Sequence, residues 1–230
     1  MTDFSGLLKP LEYTFKDPSL LQTALTHSSY LNEHDLPKTA CNERLEYLGD
    51  AILEAVTSDF LFREYPEEME GRLSRYRAAL VCEESLADSA RKLGIGPFLL
   101  LGKGMERSGA RESQAVISDA FEALIAALYL DGGEDAARRM IERFVLRDHR
   151  EKLVLRDAKT YLQEQAQDKG HVISYELLNE SGPQHHPHFV SAVLMDGVRI
   201  AEGEGSSKKQ AEQNAAFNML ALIKEKTICI

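Results

Sequence analysis

Residues 116–130, Val-Ile-Ser-Asp-Ala-Phe-Glu-Ala-Leu-Ile-Ala-Ala-Leu-Tyr-Leu, leave the chain few ways to fold. At about 100° per residue they form a helix that is apolar on nearly every side, and such a helix is buried. The run falls short of the ~20 residues that cross a membrane. Other parts of the chain must therefore wrap around it. Only Ser118, Asp119 and Glu122 interrupt the apolar surface. A buried carboxylate costs several kcal/mol unless it finds a partner. Asp119 and Glu122 lie at i and i+3 on one face, so they can meet one ion. The alternative is a place in the first turn, where the helix dipole favours negative charge.

A second stretch, Asn42-Glu43-Arg44-Leu45-Glu46-Tyr47-Leu48-Gly49-Asp50, repeats the theme. Read as a helix from 41 to 62, it places Glu43, Glu46 and Asp50 on one face and Leu45, Leu48, Ile52 and Val56 opposite. Three like charges so close raise one another's pKa unless something positive joins them. Hard oxygen ligands in this arrangement suit Mg²⁺ or Mn²⁺. A solvated acidic face, extended by Glu54, is the other reading.

The ordered string 42–50 resembles the signature segment of ribonuclease III, the endonuclease of double-stranded RNA. Ser118-Asp119-Ala120-Phe121-Glu122-Ala123-Leu124-Ile125 resembles that family's second acidic motif, and the likeness covers nearly all of 7–146 in the correct order. The resemblance implies a mainly α protein whose residues 1–153 form an all-helical endonuclease domain. It implies Mg²⁺, with Mn²⁺ as substitute, held by Glu46, Asp119 and Glu122. Asp50 would act with Glu122 at the chemical step, with Glu43 and Glu70 as secondary acids. Glu67, Glu68 and Glu70 are equally explained by the start of a helix. Hydrolysis would leave 5′-phosphate and 3′-hydroxyl ends on ribosomal RNA precursors and structured messages. Cutting both strands calls for two sites, which a homodimer through the catalytic domain supplies. The apolar excess of 116–130 is consistent with such an interface.

The remaining nuclease segments read more plainly. Residues 7–15 are a lead-in, Asp17-Pro18 starts a helix, and His27 near its end is structural. Residues 32–40 read as a loop. An amphipathic helix over 80–93 closes at Gly94. The glycine-rich stretch 102–109 lacks phosphate-loop spacing. A charged helix follows over 134–150. Arg72, Arg75 and Arg77 either contact phosphate or pair with glutamates at the surface, the usual fate of such groups.

A short linker at 154–158 leads to a second domain over 159–226, read as α-β-β-β-α with strands at 172–178, 189–195 and 198–201. Asp196-Gly197 is a hairpin turn, and Ser206 and Ser207 cap the last helix. This order resembles the double-stranded RNA-binding domain. Gln163 and Glu164 match its first-helix contact region. Gly182-Pro183-Gln184-His185, followed by Phe189, matches its minor-groove loop. Gly203 to Lys209, followed by Ala211, Ala215 and Ala216, matches its phosphate-clamp helix start. Lys208 and Lys209 at a helix N-terminus suit phosphate, although each alone is an ordinary surface charge. His186 and His188 receive no role; with His185 they also suggest a metal cluster.

Charge pulls against a polyanion as partner. The 230-residue chain carries net charge −10, which argues against broad, charge-driven binding but not against a few local cations aided by metal ions. From 159 to 230 there are seven Lys and Arg against nine Asp and Glu. The second domain should therefore bind duplex RNA modestly and with strong salt dependence. Three irregularly spaced cysteines, no leader-like segment and no membrane-length apolar run give the expectation of a cytoplasmic protein.

Overall fold

The computed structural model describes residues 3–183 and 187–224, apart from the side chains of residues 155 and 156. Contacts divide the chain into two units, Met1–His149 and Arg150–Ile230. No helix among the described residues is long and apolar enough to cross a membrane.

The first unit is helical: α1 (Ser5–Leu11), α2 (Pro18–Ala24), α3 (Ser28–His34), α4 (Glu43–Glu64), α5 (Glu70–Val81), α6 (Glu83–Leu93), α7 (Lys103–Arg107), α8 (Gln114–Gly132) and α9 (Glu134–Ile141), continued by a wider π turn over Glu142–Leu146. Helix α8 lies at the centre, packed chiefly on α4 and also on α6, α9 and α2. Ala120, Phe121, Ala123, Leu124, Ile125, Ala126 and Ala127 are fully excluded from water. The apolar surface of α8 is thus largely covered by its own chain, with Tyr129 and Leu130 near its end as its exposed large apolar residues. Most of the apolar excess of 116–130 is accounted for by packing within the chain, which leaves Tyr129 and Leu130 for a contact between copies. Further large exposed apolar groups of this unit are Tyr47 and Phe62 on α4 and Met69 just before α5.

Several elements differ from the sequence reading, each for a local reason. The helix begun at Asp17, whose side chain accepts from the Ser19 amide, stops at Ala24. There Leu25 and His27 pair with Leu100: the Leu100 amide donates to Leu25 and the His27 amide donates to Leu100. α3 then occupies part of the expected loop. The expected helix 80–93 is two helices, because Cys82 adopts extended backbone (ψ 153°) between α5 and α6; the close at Gly94, with φ +81°, is as read. The glycine-rich loop contains the short α7, held by Arg111, which forks onto Glu106 and donates to the carbonyls of Gly96 and Leu99. The expected helix 134–150 is interrupted by the π turn.

The second unit contains α10 (His149–Arg156, its first residue in the other unit), α11 (Ala158–Asp168), β1 (Ile173–Ser181), β2 (His188–Met195), β3 (Val198–Gly205) and α12 (Lys208–Lys224). The expected linker 154–158 is helical except at Asp157, and Val154 packs on the second unit's core, beside Leu162, Val193, Ala215, Ala216 and Met219. The three strands form an antiparallel meander in the order β1-β2-β3. Asp196 and Gly197, with φ +52° and +80°, make the tight β2–β3 turn, as the Asp-Gly pair requires. Helix α12 backs onto β3 and β2. The approach is close at Gly203, where a Cβ would stand 2.1 Å from the Ala215 amide nitrogen.

Candidate active site and nucleic-acid interface

The two acidic stretches meet where α4 crosses α8. A Cβ on Gly49 would lie 1.9 Å from the Glu122 carbonyl oxygen, so the two backbones touch with no side chain between them. Gly49 adjoins Asp50 and follows Glu46 by about one turn, while Glu122 follows Asp119 by about one turn. One point of contact therefore brings four carboxylates from two helices into a common field. The buried side of α4 is Leu45, Gly49, Leu53, Val56 and Leu61, rather than the row through Leu48 and Ile52 expected from sequence; these two are half-buried. The stripe turns so that glycine, not leucine, faces α8.

The electrostatics report the same convergence. Glu122 is pushed up to about 8, first by loss of solvent and then by Asp50, Glu46 and Asp119. Glu46 is raised by burial and then by Asp119, Glu43 and Asp50. Asp119 is raised by burial and by Glu83, opposed by His27 and Ser118. None of Glu46, Asp50, Asp119 and Glu122 forms an ion pair with Lys or Arg among the described residues. Carboxylates that crowd one another without a Lys or Arg partner lack a stabilising role of their own. Their hard oxygens, paired with no Lys or Arg among the described residues, fit Mg²⁺ or Mn²⁺. Among the described residues no three acidic, His or Cys side chains stand together as a ready metal cage.

Other expected site residues separate. Glu43 is exposed but within the field of Glu46. Glu70 is exposed in the first turn of α5, and the Ser74 hydroxyl donates to it at 2.8 Å; the raised pKa of Glu46, Asp119 and Glu122 owes nothing to it. Arg72 pairs with Glu68, and Arg77 donates to the Ser58 hydroxyl oxygen and approaches Glu54. Two residues enter from outside the motifs. Glu83, first residue of α6, raises Asp119. His27 caps α3 by accepting from the Ser29 amide, which is a structural duty, and also lies close enough to favour the charged form of Asp119. Glu83 left no signal in its own neighbourhood, because it reaches the cluster through the packing of α6 on α8.

In the second unit, Gln163 and Glu164 are exposed on α11, and Lys208 and Lys209 are exposed in the first turn of α12. Ser207 accepts from the Gln210 amide, fixing that turn. Gln184, His185 and His186 fall outside the described residues. His188 pairs with Glu204 at 3.0 Å.

Comparison with known proteins joins these features. The family model described as Ribonuclease-III-like matches residues 17–149, more than half of the chain. The chain belongs to the ribonuclease III family. Residues 158–223 match the double-stranded RNA binding motif. Ribonuclease 3 of Streptococcus uberis is 44% identical over 98% of this chain and 100% of the relative. Ribonuclease 3 of Lactococcus lactis is 47% identical over 90% of each. A solved nuclease domain of ribonuclease III from Campylobacter jejuni covers 63% of this chain and 97% of that one, with 40% identity and a TM-score of 0.59. As a ribonuclease III with a duplex-binding module, the protein is a double-strand-specific endoribonuclease, and double-stranded RNA is its partner.

Proposed function

We propose that this ribonuclease III hydrolyses duplex RNA at the α4–α8 crossing with Mg²⁺, leaving 5′-phosphate and 3′-hydroxyl ends, and acts in the cytoplasm on ribosomal RNA precursors and structured messages. The observation that carries the reading is the set of uncompensated carboxylates gathered around the Gly49–Glu122 contact. Glu46, Asp119 and Glu122 would hold the ion. When bound, a divalent cation lowers the pKa of a water and offsets charge on the phosphodiester oxygens. Asp50 is exposed at the mouth of the cluster, where it orients the attacking water together with Glu122. Glu43 and Glu83 add to the field that attracts the cation. Glu70, exposed in the first turn of α5, is the other secondary acid.

Duplex recognition falls to the second unit. Gln163 and Glu164, His185, and Lys208 with Lys209 are the proposed contacts, set to read an A-form duplex by shape, 2′-hydroxyls and phosphate. We assign the active form as a homodimer through the catalytic unit. The Campylobacter jejuni nuclease domain has a region involved in dimer formation. In this chain Tyr47, on the signature helix itself, is 83% exposed and is available to such a contact.

The test is a labelled RNA duplex incubated with Mg²⁺, Mn²⁺ or Ca²⁺ and the ends then mapped. Cleavage in Mg²⁺ and Mn²⁺ to 5′-phosphate ends, with binding alone in Ca²⁺, is expected. Binding without cleavage in every ion would reduce the protein to an RNA-binding scaffold.

A further inference from the structure

The phosphate clamp of the second unit is already engaged by its own chain. Lys208 Nζ lies 3.1 Å from a carboxylate oxygen of Glu180 and 5.7 Å from the centroid of the Phe189 ring. The sheet explains the meeting. Glu180, near the end of β1, pairs in register with Phe189 of β2, which pairs in turn with Gly205 at the end of β3, three residues before Lys208. Both charged side chains are more than half exposed. The lysine is thus extended along the end of the sheet by a carboxylate and an aromatic face, in a place any incoming phosphate must share.

We propose that Glu180 is an intramolecular competitor for phosphate at Lys208, and so a determinant of how tightly and how salt-dependently the protein holds duplex RNA. The inference rests on the proposed role of Lys208 as an RNA contact. An exposed pair of this kind is weak, so a phosphate displaces it. The displaced carboxylate nevertheless remains beside the phosphate, and like charges at this range reduce the gain. In a unit whose acids outnumber its bases, one carboxylate on the clamp takes a sizeable share of the available attraction. Duplex binding then relies on several contacts made together rather than on the clamp alone.

The experiment measures fluorescence anisotropy of a labelled RNA duplex with the full chain in EDTA, across a salt series. Glu180→Gln should tighten binding roughly 3- to 10-fold near 0.1 M salt, with the gain shrinking as salt rises. Glu176→Gln, four residues along the same strand, changes net charge equally but leaves Arg199 to its other partner, Glu202, and should change little. Lys208→Ala should weaken binding, and in that background the Glu180→Gln gain should largely vanish. If Lys208→Ala has no effect, the assignment of Lys208 as an RNA contact fails and the competition fails with it. If Lys208→Ala weakens binding but Glu180→Gln does not tighten it, or Glu176→Gln tightens it as much, or the gain survives without Lys208, the competition is overturned while the RNA contact stands.

Discussion

Glu122 is the side chain under most tension in the cluster. Its folded pKa, about 8, stands well above the ordinary 4.5. The folded state therefore binds more protons than the unfolded chain between those values, and stability of the metal-free protein falls as pH rises through the window. The total is on the order of a few kcal/mol. Glu122→Gln removes the charge while keeping the shape. In EDTA its melting temperature should equal that of the parent near pH 4.5 and exceed it increasingly towards pH 8.5. A gap that stays constant with pH would mean that Glu122 is not the strained acid. The same substitution should reduce Mg²⁺-dependent cleavage at least about a thousandfold while leaving duplex binding within a few fold. Single-turnover cleavage and anisotropy separate the two effects, and an equal loss of both would remove Glu122 from the chemistry.

Between helices, the determining contact is Gly49 on Glu122. Gly49→Ala forces a methyl group into a backbone carbonyl, and overpacking of this kind typically costs about 1–3 kcal/mol or more. Its expected signature is a lower melting temperature together with loss of cleavage. Gly71→Ala, in α5 with open space around the new carbon, should instead hold or slightly raise the melting temperature. Calorimetry on both variants checks the contrast. This contact also marks the limit of what the sequence discloses. Periodicity finds the apolar helix and the acidic stripe, and the string 42–50 identifies the family, but neither says which face of α4 meets α8. The leucine row suggested Leu48 and Ile52; close approach selects Gly49 and Leu53. Glu83 was illegible because its partners lie on another helix. The break at Cys82 was missed because the residues on both sides favour helix. In the second unit, Asp196-Gly197 and the strand formers made the meander readable, whereas the helical character of 154–156 depends on Val154 joining a core remote in sequence.

At the scale of the molecule, an acidic chain that handles a polyanion must localise its attraction. Removing Arg150–Ile230 should weaken duplex binding far more at 0.15 M salt than it slows turnover at low salt, since the second unit contributes contact rather than chemistry. A salt profile unchanged by the truncation would argue against that division. Tyr47→Arg should shift the protein from dimer to monomer in sedimentation equilibrium, with double-strand cutting lost alongside. A monomeric parent would refute the proposed assembly.

The backbone touch between α4 and α8 has a consequence for variation. Side chains can be exchanged for others that reach the same point, but a position filled by hydrogen alone has no substitute. The residue most resistant to replacement in this nuclease is therefore one that carries no functional group, and lineages that lose it should lose the enzyme before they lose any of its acids.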